Sequence, residues 1–299
     1  SLPSTRDIIH VIPRDFAVNS QDGIKDPVGM SGVRLEVETN IIHGSATGIK
    51  NIVKCVDQVG VAVEELVYTG IASSEAVLTD TEKELGTLLV DMGGGTTSMI
   101  AFLEGSPIHS SVLPIGGKLV TSDLAIGLRA KLEDAEKIKI ELSDMMRLYK
   151  SKYKDKPEKE FDLSKYNLEA EKIPLNSLQG IIDARLKEIF ELISLELNKA
   201  ELIRKLPAGI VITGGASGTM GVEKMAKSIL KLPVRLGTPR GVTGLVDEIQ
   251  GPSASAAVGA VLYGTHLFRE GSLLSIDDKS GKMNKSFLKL FEKFKSFLP

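Results

Sequence analysis

Gly86-Thr87-Leu88-Leu89-Val90-Asp91-Met92-Gly93-Gly94-Gly95-Thr96-Thr97-Ser98-Met99-Ile100-Ala101 is the stretch on which the architecture turns. An apolar run, Leu88 to Val90, leads into an acid, three glycines and two threonines, and a second apolar run opens at Met99. The pattern reads as strand, tight turn, strand. Without Cβ atoms the bend is free to take positive φ, and consecutive N–H groups can converge on an anion such as phosphate. Gly93, Gly94 and Gly95 are therefore candidate phosphate contacts, with Thr96 and Thr97 adding hydroxyl donors. Two anions repel, so Asp91 is expected to work on a metal ion or an attacking water, as the catalytic and metal-binding residue. The loop thus points to a nucleotide with Mg²⁺, although a glycine-rich hairpin turn accounts for it as well. A P-loop is excluded by the absence of Gly-Lys-Ser/Thr here, and a dinucleotide fingerprint by the missing later glycine and helix.

With 299 residues, 42% apolar and 25% charged, the chain is an ordinary globular protein of two domains or one domain with lobes. A net charge of −2 gives no pull toward nucleic acid, and none is expected as a partner. Cys55 sits at helical spacing from Ile52, Val56 and Val59 and reads as a buried thiol. No apolar run approaches a membrane span, no secretory leader is visible, and the first residues lack an initiator Met.

Along the chain, Asp7 to Ile12 is an apolar run stopped by Pro13, and Val33, Leu35, Val37 and Ile41 alternate as a half-buried strand. Ser45 caps a helix that Gly60 ends, and Val61 to Tyr68 reads as another strand. This small α+β unit has no acid, base or metal cluster, so contact is its expected work, and His10 and His43 read as surface or packing residues. A short helix follows Gly70, and Gly116-Gly117 opens another in which Thr121 and Ser122 serve local capping. In the helix from Leu132 to Met146, Glu136 and Lys139 share a face, by themselves a surface ion pair. Arg147 to Lys172 is dense in charge and reads as an exposed, mobile excursion, and Leu178 to Leu206 as a long amphipathic helix.

Ile210-Val211-Ile212-Thr213-Gly214-Gly215-Ala216-Ser217 repeats the opening theme, and two strand-to-glycine bends suggest two walls around one ligand. Ser253 to Gly264 is a helix whose Ala256, Ala257, Gly259 and Ala260 let another helix come close. After a Gly- and Ser-containing linker over 271–281, the last fourteen residues form an amphipathic pattern. Phe287, Leu288, Leu290, Phe291, Phe294, Phe297 and Leu298 share one half of the helical wheel, opposite Lys289, Glu292 and Lys293. From Lys279 on, six lysines stand against one acid, which suits an anionic membrane surface; docking on the protein itself or on a partner groove is the alternative.

Taken together, these residues resemble FtsA, the actin-like ATPase family of bacterial cell division, over nearly the whole chain. The resemblance is carried by His10-Val11-Ile12-Pro13, the block Pro27 to Arg34, Ala72-Ser73-Ser74, Asp91 to Thr97, Thr121-Ser122-Asp123-Leu124-Ala125, Ala135 to Lys139, Thr213 to Ala216 and Ala256 to Gly259. It implies an α/β, actin-like (ribonuclease H-like) fold with a small α+β subdomain over 1–69 and a core over 70–131 and 207–264. An outer lobe over 132–206, a linker over 265–284 and a membrane-targeting helix over 285–299 complete it. It implies ATP with Mg²⁺ as cofactor, Asp91 to Thr97 as a phosphate loop, Gly214, Gly215 and Ala216 as an adenosine loop, and Glu136 and Lys139 as the pair contacting the adenosine. As partners it implies the FtsZ C-terminal tail on the outer lobe, other divisome proteins, self-association into filaments, and the cytoplasmic face of the inner membrane at the division site. The family's opening Asp-x-Gly-Thr-Ser has no counterpart before Arg6, so a truncated copy of a longer chain, at most a weak ATPase, is expected. A superfamily small-molecule kinase and an actin-like component of pilus assembly are the alternatives.

Overall fold

The structure, a computed structural model, describes residues 3–152, 159–166, 168–242 and 249–269. The linker expected over 271–281 and the amphipathic helix expected over 285–299, from Phe287 to Leu298, lie outside the described residues. β4 (Thr87–Met92) and β5 (Thr97–Leu103) form the antiparallel hairpin around the triple glycine, with Met92 opposite Thr97 at its end. β4 is buried along its whole length, as a central strand covered on both faces must be. β9 (Gly209–Thr213) runs parallel beside it, β10 (Val234–Leu236) parallel beyond, and β6 (Ser106–Leu113) completes the order β10-β9-β4-β5-β6.

Period-two alternation sorts the side chains of β4 between two cores. Leu88, Val90 and Met92 enter the larger one, beneath α4 (Gly117–Leu128), α5 (Leu132–Lys152), α6 (Leu175–Lys199) and α7 (Val222–Leu230). Leu89 enters the smaller one, with α2 (Thr69–Val77) and α8 (Ser255–Arg269). Asp91 has the parity of Leu89 and so emerges on the α2 side. The small-residue run of α8 does admit its neighbour: a Cβ on Gly259 would lie 1.6 Å from the Ala72 carbonyl oxygen of α2.

The N-terminal unit is a three-stranded sheet in the order β2 (Gln21–Ile24), β1 (Arg6–Val18), β3 (Leu35–Ser45), followed by α1 (Ala46–Gln58), whose N-cap Ser45 accepts from Gly48 N at 3.3 Å. Several expectations are corrected here. β1 does not stop at Pro13, which pairs with Thr39; the register slips between Pro13 and Asp15, a bulge that accommodates a residue without an N–H. β2 reaches only Phe16 and Val18 on the other side, so no ladder bond is demanded of Pro13 there. Residues 61–68 form no strand. Their end is fixed by Tyr68, whose N–H donates to His10 Nε2 at 3.0 Å and whose phenol donates to the carbonyls of Met99 at 3.1 Å and Ser111 at 2.9 Å. His10 is accordingly a buried acceptor, held below its ordinary pKa by burial. Cys55 is exposed, because α1 buries only Ala46.

The charged segment after α5 is not wholly an exposed excursion. α5 itself continues to Lys152, and β7 (Glu160–Asp162) pairs with β8 (Lys172–Pro174). Phe161 and Leu163 are buried in the larger core and anchor the hairpin under its charged surface. On the opposite side of the sheet, α3 (Asp80–Leu85) begins with a complete Thr79/Glu82 capping box.

Candidate functional site

The glycine hairpin is closed by Gly93 N donating to Thr96 O at 2.9 Å. None of its glycines has a positive φ, which corrects the expectation from the sequence. Clearance is what the turn requires: a Cβ on Gly93 would meet Thr96 O at 3.0 Å. Gly94, Gly95 and Thr96 are exposed, whereas Thr97 is buried and its hydroxyl donates to Ile115 O at 2.8 Å. Thr97 therefore stabilises the base of the hairpin, and the Thr96 hydroxyl is the one at the open surface.

Asp91 is 7% exposed and accepts from the fully buried Ser73 hydroxyl of α2 at 2.5 Å. Burial pushes its carboxyl above the usual range, and the Ser73 bond opposes that rise. The second glycine bend comes directly against it. Gly214 has φ 86°, and a Cβ there would fall 2.3 Å from Asp91 Oδ1 and 2.5 Å from Met92 O. Gly215 is exposed beside it and Ala216 is buried. Parallel pairing of β4 with β9, Asp91 opposite Thr213, is what delivers both bends to one end of the sheet.

α4 joins the remaining pieces. Gly117 N donates to Gly93 O at 2.9 Å and Lys118 N to Gly94 O at 2.8 Å, so the first turn of the helix sits on the glycine hairpin. A Cβ on Gly116 would lie 2.5 Å from Gly93 O, and one on Gly117 would lie 2.7 Å from Ala216 Cβ. Lys139 of α5, 7% exposed, reaches the same turn: its Nζ donates to Glu136 Oε2 at 2.8 Å, to Thr121 Oγ1 at 3.0 Å and to Gly117 O at 3.5 Å. The Thr121 hydroxyl also donates to Glu136. Burial alone raises the Glu136 carboxyl, but the bonds from Lys139 and Thr121 outweigh it and hold the group below its ordinary value. Glu136 and Lys139 are therefore not a surface ion pair but part of a half-buried network tying α5 to α4.

Asp91, the glycine hairpin, the bend at Gly214 to Ala216 and the Glu136/Lys139 pair are thus brought together around the start of α4, whereas Thr97 is turned into the base of the hairpin. Ser73, Gly116, Gly117 and Thr121 were not assigned a site role from sequence, Thr121 being read there as local capping. The Gly116-Gly117 pair was visible as a helix start, and a double glycine there is a signal of close approach. Ser73 carried no local signal at all. Among the described residues no group of three His, Cys, Asp or Glu side chains is placed to hold a metal ion. A single carboxylate is nonetheless what Mg²⁺ takes when phosphate oxygens and water fill its other positions, so Asp91 fits that ion.

A mixed five-stranded sheet with glycine bends after β4 and β9 defines a protein of the actin-like ATPase fold. MreB 5 of Spiroplasma citri, whose crystal structure is described as bound to AMPPNP, has this fold with a TM-score of 0.56 at 18% identity, over 76% of this chain and 67% of that one. Residues 88–259 match the family model described as Cell division protein FtsA, and residues 1–43 match the SHS2 domain inserted in FTSA. Cell division protein FtsA of Pseudomonas aeruginosa is 34% identical over 100% of this chain and 70% of its own length. That of Borreliella burgdorferi is 36% identical over 97% of this chain and 69% of its own. The chain belongs to the FtsA family of cell division proteins.

Proposed function

We propose that the chain binds ATP with Mg²⁺ between its two glycine bends and acts in division as a membrane-bound, self-assembling adaptor. The observation that carries the nucleotide reading is the meeting of four separately encoded pieces at one point. Gly93 O and Gly117 N bond, Gly117 packs on Ala216, and Gly117 O accepts from Lys139. In this reading the exposed Gly94, Gly95 and Thr96 hold phosphate oxygens, Gly93, whose N–H is taken by Thr96 O, shapes the turn, and Asp91 holds Mg²⁺ and its water. Gly214, Gly215 and Ala216 lie against the adenosine, with Glu136 and Lys139 across from them. Bound Mg²⁺ supplies positive charge to the phosphates; the chain's part is to position them.

The outer functions rest on family membership and on sequence pattern. The lobe over 132–206 receives the FtsZ C-terminal tail, the small unit over 1–69 meets other copies and other division proteins, and the lysine-edged segment from Phe287 to Leu298 lies on the cytoplasmic membrane face at the division site. A single amphipathic helix binds lipid reversibly, so copies assembled in an array hold the membrane by avidity.

The nucleotide site is tested at Gly215. A Cβ there would meet nothing closer than Ser253 Cβ at 3.7 Å, and Gly215 is exposed, so Gly215→Val is expected to keep the fold while crowding the second bend. Calorimetric titration with Mg·ATP is expected to give saturable binding to the native chain and none to the variant. Equal heats for both would remove the site. In parallel, vesicle flotation of the whole chain against one ending at Lys285 tests the anchor, and equal flotation would remove that part.

A further inference from the structure

The site around the two glycine bends has a charge deficit that one side chain is placed to correct. Asp91 and Glu136 bring two carboxylates to it, and Lys139, the cation expected there, is already committed to Glu136, Thr121 and Gly117 O. Nor does the start of α4 offer free donors toward the phosphate loop. The N–H groups of Gly117 and Lys118 are taken by Gly93 O and Gly94 O, and that of Leu119 by Gly116 O at 3.1 Å. A polyphosphate entering between the bends therefore meets acids and backbone, and repulsion from the acids opposes it.

Lys118 lies across this loop. From an ideal Cβ position on Gly94, its Cε is 3.6 Å away and its Cγ 3.7 Å. Its stem is thus laid along the exposed middle glycine, with the ammonium one bond further on. The residue is exposed, and its ammonium has no hydrogen-bond or ion-pair partner among the described residues. Its own N–H bond to Gly94 O ties the side chain's root to the loop, so the charge is carried by the same turn that the loop is built on.

We propose that Lys118 is a phosphate-binding residue of this site, its ammonium bonding oxygens of the nucleotide's polyphosphate above Gly94. The inference rests on the nucleotide reading and adds to it the cation that neutralises the bound anion. It acts as a point charge on a flexible stem, a role Lys fills at phosphates and one that Arg can take over.

The test compares the whole chain with Lys118→Ala and Lys118→Arg, measuring affinity for Mg·ATP directly and for adenosine by competition, at low and at high salt. A charge-assisted bond of this kind predicts about a tenfold loss of ATP affinity in Lys118→Ala. The loss is greater at low salt than at high salt, because a partly exposed pair is screened. Adenosine affinity stays at the native value, and Lys118→Arg restores ATP binding to within about threefold. ATP binding by Lys118→Ala equal to native at both salts overturns the inference and leaves the nucleotide site standing. A parallel loss of ATP and adenosine overturns it as well, since it marks a structural role. A native chain that binds neither ligand overturns the inference together with the reading beneath it.

Discussion

Asp91 and Ser73 are the most consequential pair at the residue scale, because a carboxylate 7% exposed has few other ways to satisfy its lone pairs. Ser73→Ala removes the donor and leaves the acceptor buried. An orphaned buried acceptor costs about 1–3 kcal/mol, more when it is charged. Urea denaturation of the variant is expected to show a lower midpoint with an unchanged slope, since no large surface is newly exposed. A midpoint equal to native would mean that water reaches Asp91 and that the Ser73 bond adds little. Residues such as these mark where sequence reading ran out. Asp91, Gly93 to Thr96 and Gly214 to Ala216 were legible because acid and glycine after a buried strand have few other uses. Ser73 was not, because a serine inside an Ala-Ser-Ser helix has no pattern of its own and its partner is 18 residues away.

Elements show the same division between local and non-local cause. β4, β5 and β9 were legible from apolar runs ending in glycine, and α6 from its apolar periodicity. Residues 61–68 were misread as a strand because alternation cannot say whether a neighbour is available to pair, and here the side chain of Tyr68 does the fixing. Phe161 and Leu163 were hidden among charges, although two apolar residues sufficed to anchor a hairpin. α3 and β10 are joined by a further long-range strut that no local signal announces. Arg235 donates from Nε to Glu82 Oε1 at 2.6 Å and from Nη2 to Glu82 Oε2 at 2.8 Å, a bidentate pair.

The Arg235 bonds, against a smaller opposing effect of burial, draw the Glu82 carboxyl from 4.5 down to about 2, with the Thr79 capping bonds helping. The folded value is below the unfolded one, so the strut's contribution is fully present above about pH 4.5 and is lost as pH falls through about 2. With both side chains under a third exposed, the shift corresponds to about 3 kcal/mol. Glu82→Gln is therefore expected to be less stable than native at neutral pH by about that amount, and the gap should close as unfolding is measured toward pH 2. A gap that stays constant with pH would assign the effect to packing rather than to charge.

Across the whole molecule, the sheet separates two cores, and the two glycine bends lie together at the paired ends of β4 and β9. The larger core supports the α4–α5 side, with Gly117 and Lys139. The smaller supports α2, and through Ser73 it holds Asp91. A very tight contact in the smaller core sets Gly259 of α8 against the Ala72 carbonyl, one residue before Ser73. A methyl group at 259 cannot be accommodated at 1.6 Å, so α2 or α8 must move. Insertion of one carbon into such a contact costs about 1–3 kcal/mol. The cost is not confined to α8, because displacement of Ala72 shifts the Ser73 hydroxyl relative to Asp91. Gly259→Ala, remote from the site in sequence, is thus expected to lower both the unfolding midpoint and Mg·ATP affinity. Gly264→Ala, on the same helix with nothing within 4 Å of its added Cβ, serves as the comparison and should change neither. If Gly259→Ala loses stability while binding ATP as native, α2 yields without turning Ser73, and the smaller core supports the site without aligning it.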